Sequence, residues 1–234
     1  GRGISWLPSG TASATLRPVH AGARSATGHA DRFLPSEFLP GNSDSPFLGL
    51  RLLGLDAHGR ALDWMSWQDA TCLYARGAVA WTLGEPCLEV HGGINRASGQ
   101  RSLMHLHPII ATRGHARGHA LAPTPALTNP ALFARDQQLC LYCGNAYPRS
   151  TLTRDHVQPV SKGGRDIWEN VVTACYHCNS RKGNRTPQQA GMPLLAVPYR
   201  PSWIEHLILS NRNILADQMA FLKSQLPKKS PRFA

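Results

Sequence analysis

Acidic side chains are scarce in this sequence: 14 Asp and Glu stand against 25 Lys and Arg, leaving a formal charge of +11. That imbalance disfavours cationic partners and favours a polyanion, which a basic surface attracts through its summed field and by releasing condensed counterions. Long apolar runs are missing too, with nothing approaching the roughly 18 consecutive residues of a spanning helix. The N-terminus lacks the basic-then-apolar pattern of a secretory signal, so the chain is expected to be soluble and cytoplasmic, of bacterial intracellular type, with no membrane partner. Residues 1–30 contain no acidic residue and no hydrophobic period. Their Gly, Ala, Ser and Thr content predicts a flexible arm, which we extend to residue 46.

What is present is enough hydrophobic content, 42% over 234 residues, to build one ordinary domain and a second small module. The basic excess is uneven, because residues 126–234 carry 14 basic and 6 acidic side chains against 11 and 8 before them. The C-terminal half is therefore the expected nucleic-acid face. From Phe47 the pattern tightens, with Leu48, Leu50 and Leu52 and a turn at residues 56–59 predicting a β-hairpin. Ser66-Trp67-Gln68-Asp69 then has the chemistry of a capped helix start, running to Gly77. A small α+β unit with its linker is assigned to 47–125, and the tandem Arg-Gly-His-Ala of residues 113–120 reads as an exposed basic loop. Asn129-Pro130 predicts the cap and first residue of a helix over 130–137. Thr186-Pro187 opens a capped turn, and Ser202-Trp203-Ile204-Glu205 is a capping box predicting one amphipathic helix to about residue 226. Its apolar face is Ile204, Leu207, Ile208, Leu215, Met219 and Leu222, and Lys228, Lys229 and Arg232 form a basic tail.

Only six cysteines occur, and four of them fall into two Cys-x-x-Cys knuckles, Cys140/Cys143 and Cys175/Cys178. That ligand set and spacing let neighbouring sulfurs close a tetrahedron, so a structural Zn²⁺ is expected, with no open catalytic position. A redox dithiol is the alternative. The 31 residues between Cys143 and Cys175 exceed a simple zinc ribbon, so the metal must clamp an inserted substructure. Cys72 and Cys87 remain and are expected as buried small hydrophobes. His177, inside the second knuckle, has no vacant place in a shell already filled by four sulfurs.

Between and after the knuckles stand Leu152-Thr-Arg-Asp155-His156-Val-Gln-Pro159, Gly163-Gly164, Trp168-Glu-Asn170-Val-Val and Cys178-Asn179-Ser-Arg-Lys182-Gly183. The Asp155-His156 pair, an Asn 14 residues after His156 and a second Asn nine residues later resemble the HNH endonuclease family. The resemblance covers residues 130–193 well and 47–110 weakly. It implies an α+β fold with a ββα-metal (His-Me finger) nuclease core clamped by the four-cysteine zinc site. This domain would span 126–200, with the α+β unit before it and the amphipathic helix and tail, 201–234, after it.

Within that core, residues 151–157 read as a strand ending at Asp155-His156, 158–170 as a second strand and loop, and 176–182 as a helix. Successive strand side chains face opposite ways, so bringing Asp155 and His156 to one ion predicts a twist or bulge there. Asp155 and Asn179 would hold a catalytic Mg²⁺ or Mn²⁺. His156 would be the general base and Asn170 would fix the loop and the imidazole. The resemblance implies hydrolysis of phosphodiester bonds to 5′-phosphate and 3′-hydroxyl ends. Asn179 stands where many members have His, which weakens a preference for softer ions. Arg154, Lys162, Arg181, Lys182 and Arg185 are candidate phosphate contacts. The partner would be nucleic acid, DNA foremost, gripped by a monomer or a homodimer. A catalytically inactive, zinc-stabilised nucleic-acid-binding module is the rival reading. The intact Asp155, His156, Asn170 and Asn179 set speaks for the enzyme.

Overall fold

The computed structural model describes residues 16–18, 49–94, 96–113 and 124–228. Most of the expected arm, the tandem repeat beyond Arg113 and the tail residues Lys229 and Arg232 lie outside the described residues. Two compact units form. Described residues of the first are 16–18, 49–60, 64–94 and 96–113, and those of the second are 61–63 and 124–228.

The first unit begins with a surprise, because β1 (Leu16–Pro18) lies within the stretch expected to be an arm. Strand β2 (Leu52–Leu55) is buried along its whole length and neighbours β3 (Ala61–Met65). The turn between them is an Asx turn in which Asp56 Oδ1 accepts from the backbone N–H of His58 at 2.9 Å and of Arg60 at 2.8 Å. Helix α1 (Trp67–Ala75) starts where Ser66 Oγ accepts from Asp69 N at 3.1 Å, one of the donors an uncapped helix would leave unpaired. Four strands follow: β4 (Val79–Leu83), β5 (Leu88–Ile94), β6 (Arg101–Leu106) and β7 (Ile109–Thr112). Strands β1, β5 and β6 make one antiparallel sheet, while β7 pairs parallel with β2 and antiparallel with β4. Leu52, Ala70, Leu88, Val90, Leu106 and Ile110 pack into the core between these elements. Cys87 lies at its edge, with Sγ 3.5 Å from Leu106 O, and burial pushes its thiol up to about 11. Cys72 departs from expectation: it is exposed on the outer side of α1.

In the second unit α2 (Asn129–Arg135) starts one residue earlier than predicted, because Thr128 is the cap and its Oγ1 accepts from Ala131 N at 3.3 Å. Asn129 is left free for another task, accepting from Arg154 Nε at 3.0 Å. Strands β8 (Leu152–His156) and β9 (Val171–Cys175) form an antiparallel pair, and α3 (Tyr176–Lys182) continues directly from β9. The second strand is therefore 171–175 and not part of 158–170, where Pro159 and the glycines break the ladder into 3-10 turns at Val160–Lys162 and Trp168–Asn170. Helix α4 (Pro187–Ala190) carries the predicted cap at Thr186 as a full capping box.

The expected single C-terminal helix is two, α5 (Trp203–Ser210) and α6 (Ala216–Ser224). Asn211 is extended, at φ −118° and ψ 130°, and its Oδ1 accepts from Asn213 N at 3.1 Å. This side-chain turn takes the backbone donor that a continuing helix would have used, which is why Asn competes with helices. The apolar face survives the break, with Leu207, Ile208 and Leu222 buried.

Arg135 ties this unit together. Its side chain is 1% exposed and its guanidinium donates to both oxygens of Asp136, to Trp168 O and Val171 O at 2.8 Å, and to Tyr199 O at 3.0 Å. Asp136 Oδ2 in turn accepts from Thr173 N at 2.8 Å, so α2, the loop before β9 and β9 itself hang on one buried ion pair. Replacing Arg135 with Ala leaves the Asp136 charge buried and unpaired, and the expected loss is about 3–5 kcal/mol. Urea unfolding of the variant measures it, and a loss below about 1 kcal/mol would show that water enters and relieves the charge.

Candidate active site

The two knuckles meet because β9 and the turn before β8 are stitched together. Leu141 N donates to Thr173 O at 2.9 Å, and the first knuckle closes on itself through Cys140 N to Asn145 O at 3.0 Å and Gly144 N to Cys140 O at 2.8 Å. Cys175 ends β9 and caps α3, its Sγ accepting from Cys178 N at 3.4 Å. All four sulfurs lie within 4.8 Å of one another, Cys140, Cys175 and Cys178 buried and Cys143 exposed. A tetrahedral zinc with Zn–S bonds of about 2.3 Å needs sulfurs roughly 3.8 Å apart, so small rotations bring this set onto the ion. Burial pushes the Cys140 and Cys178 thiols up in the bare protein. At Cys143 a slight upward push from burial is overcome by the Asn145 backbone and by Cys140 and Tyr147, and its thiol falls to about 7. These thiols fit a thiophilic cation.

Above this base, β8 and β9 pair in unbroken register from Leu152↔Cys175 to His156↔Val171. The expected bulge is not there. Asp155 and His156 nonetheless line one cleft, where Lys182 of α3 bonds Asp155 and Asp166 of the 157–170 loop meets the His156 ring. A cleft of about 320 Å³ is lined by Asp155, His156, Asn179 and Lys182, with Pro159 and Val160 as its loop wall. The sequence-predicted residues Arg154, Asp155, His156, Asn179 and Lys182 thus come together, and Asn170 stands behind the loop instead of in the cleft.

Asn170 Oδ1 accepts from Gln158 N at 2.9 Å, and its Nδ2 donates to Gln158 O at 3.1 Å and Arg165 O at 2.9 Å. It joins both ends of the loop, and its side-chain bonds go to backbone, not to the imidazole. Two glycines complete the curl. Gly163 sits at φ +84°, and a Cβ on Gly164 would fall 1.9 Å from Gln158 O, so no other residue fits there.

Asp155 is 5% exposed and each of its oxygens accepts one hydrogen bond. Tyr142 donates its hydroxyl to Oδ2 at 2.5 Å and Lys182 Nζ donates to Oδ1 at 2.9 Å, with a second bond from Nζ to His156 O at 2.8 Å. Burial and the adjacent carboxylate both push the Tyr142 hydroxyl well above its ordinary range, so it stays a donor. Lys182, expected as a phosphate grip, is 1% exposed and acts as the counter-charge of Asp155. Tyr142 was missed altogether, since inside Cys-x-x-Cys it reads as a spacer.

Asn179 gives a clear orientation. Its Nδ2 lies 2.9 Å from Thr153 Oγ1, whose own hydrogen goes to Ala174 O, and 3.3 Å from Arg154 O. Both partners can only accept, so the amide nitrogen must point at them and Oδ1 is turned to the opposite side.

Other basic residues are less free than expected. Arg154 donates to Asp166, Asn129 and Leu127 O. Arg185 folds back on the C-terminal carbonyls of α3, at Arg181 O and Lys182 O. Lys162 reaches Gln189 Oε1 at 3.0 Å but stays exposed, as does Arg181. Asp166 is the second missed residue: its Oδ1 is 3.0 Å from His156 Nε2, and although slight burial opposes it, Arg154 and His156 hold its carboxyl below the usual range. No local pattern marks an Asp ten residues from its histidine in a loop.

No helix among the described residues is long and apolar enough to cross a membrane. Comparison with curated proteins finds no match. Residues 140–195, which hold both knuckles, the β8–β9 pair and α3, match the family model described as HNH endonuclease, which supports an HNH domain in this segment.

Proposed function

We propose that the chain is a metal-dependent HNH endonuclease that hydrolyses phosphodiester bonds of nucleic acid, DNA foremost, on a ββα-metal unit made of β8, β9 and α3. The observation that carries this reading is the single cleft shared by Asp155, His156 and Asn179 inside the family-matched segment. The charge of +11 supports a nucleic-acid substrate, and Arg181 on α3 and Lys162 on the 157–170 loop, both exposed, are the cations best disposed to meet phosphates.

His156 is the general base. A neutral imidazole takes a proton from water at neutral pH, and the resulting hydroxide attacks phosphorus while the 3′ oxygen departs and takes a proton from solvent water. The products then carry 5′-phosphate and 3′-hydroxyl ends. Asn179 Oδ1, turned away from its own donors, and Asp155, whose oxygens each keep a second lone pair, are the oxygen ligands that suit a hard divalent ion, Mg²⁺ or Mn²⁺. Such an ion, when bound, supplies Lewis-acid stabilisation of charge on the phosphate and the leaving oxygen. The four cysteines hold a separate structural zinc, whose role is to fix β9 and α3.

One observation favours a second reading. Lys182 already neutralises Asp155, as it would in a zinc-stabilised nucleic-acid-binding module without catalysis. Incubation with supercoiled plasmid, single-stranded DNA and RNA in Mg²⁺, Mn²⁺ or EDTA separates the two. Cleavage in Mg²⁺ or Mn²⁺ that stops in EDTA is expected, and binding without cleavage under every condition would leave only the module.

A further inference from the structure

We propose that Asp166 is a positioning residue for the His156 imidazole, holding its hydrogen on Nε2 so that Nδ1 is the basic nitrogen, an inference that rests on reading His156 as the general base. A carboxylate at the pH of function is an acceptor only, so the 3.0 Å contact between Asp166 Oδ1 and His156 Nε2 requires the hydrogen to be on Nε2. The ring nitrogen that hydrogen-bonds a carboxylate is thereby fixed in tautomer and orientation, and the other gains basicity.

Asp166 lies on a loop and its side chain is 52% exposed, so a lone Asp–His contact there would hold little. Arg154 changes that. Its Nη1 grips Oδ1 at 3.0 Å and Oδ2 at 2.7 Å, and the same guanidinium is anchored through Nε to Asn129 Oδ1 at 3.0 Å and through Nη2 to Leu127 O at 3.3 Å. The carboxylate is therefore tied to the start of α2 and to β8, elements with buried side chains in the core, and not merely to its own loop. The Asn170 bonds to Gln158 and Arg165 bring that loop back over His156 from the other side. His156, at the end of β8, has two anchored neighbours in sequence and one fixed acceptor for its ring.

The test uses the full, zinc-loaded chain. In ¹⁵N spectra at about pH 8, where an ordinary histidine is neutral, the His156 resonances, identified by their loss in His156→Ala, are expected to show hydrogen on Nε2. In Asp166→Asn the side-chain amide can donate to Nε2, and the signal is expected to move toward the Nδ1–H form. For plasmid cleavage by Asp166→Asn we expect kcat to fall about 10- to 100-fold with KM within about twofold, and Asp166→Glu to recover part of the loss. Unchanged zinc content and melting temperature establish that each variant is folded. Hydrogen on Nδ1 in the wild type, or Asp166→Asn at the wild-type rate with its tautomer unchanged, overturns the positioning role. If that happens while His156→Ala is inactive, the general base stands without Asp166. If His156→Ala cleaves at the wild-type rate, both readings fall together.

Discussion

His156→Ala is expected to lower the rate of plasmid cleavage by about 10²- to 10⁴-fold, the usual contribution of a general base, while zinc content and nucleic-acid affinity stay as in the wild type. The separation follows from where the side chain sits. It is partly exposed, its ring bonds only Asp166 among the described residues, and the backbone of β8 is held by β9 whatever the side chain is. Asp166 is exposed and also held by Arg154, so loss of the imidazole is expected to leave the fold in place. Asp155→Ala is the useful contrast, because it removes a proposed ion ligand and also strands Lys182, whose ammonium is buried against it. Part of that loss should be recovered by raising Mg²⁺ or Mn²⁺, whereas no metal concentration replaces a missing base. Wild-type cleavage by His156→Ala would remove the active-site assignment altogether.

Removing zinc is expected to have the larger structural effect. Binding of a structural zinc to a four-cysteine set is worth about 10–16 kcal/mol near neutral pH, more than a domain's ordinary stability of about 5–15 kcal/mol has to spare. Here the sulfurs are not appended to a finished core. Cys140, Cys175 and Cys178 pack with Ala174 and Met192 as a buried cluster, so the metal and the apolar contacts occupy the same space. Chelation, or Cys175→Ser, is therefore expected to release β8, β9 and α3 as one unit. The first unit, with its own core of Leu52, Leu88, Leu106 and Ile110, should keep its protection. Hydrogen exchange measured by amide reads both regions in one experiment. Slow exchange in β9 after complete zinc removal would show that the Arg135 and Asp136 network holds the unit alone. Metal analysis of the native protein should give one zinc per chain.

Local chemistry was legible and distant pairing was not. Ser66, Thr186 and Ser202 announced their helices because a cap is a bond between residues three apart, and sequence shows such pairs directly. The Cys-x-x-Cys pairs were readable for the same reason, whereas Asp155 and His156 with Asn179, more than twenty residues on, were marked by the family resemblance and not by local chemistry. The parallel alignment of β2 with β7 joins residues more than fifty apart and leaves no local trace. Apolar spacing carried the predicted C-terminal helix across Asn211, where one side-chain bond outweighs the period. At the site, charge alone marked Lys182 and Arg154 as surface cations. Their true surroundings are a buried carboxylate, met where α3 packs on β8, for Lys182, and a loop carboxylate, met where the 157–170 loop folds back, for Arg154, and no spacing rule describes either.

The close approach at Gly164 has a consequence for how variation in this chain is to be interpreted. The atoms that a side chain there would strike, Gln158 O, Gln158 C and Pro159 O, all belong to the backbone and cannot swing aside as a rotamer would. Even the smallest replacement must shift the backbone at Gln158 and Pro159, at the start of the loop that follows His156. A screen that scores only loss of function would rank Gly164 beside the histidine itself, although it contributes no group to the chemistry. Positions where a substitution is expected to inactivate this chain therefore include more than its reacting groups, and a variant list sorted by chemistry would overlook this glycine.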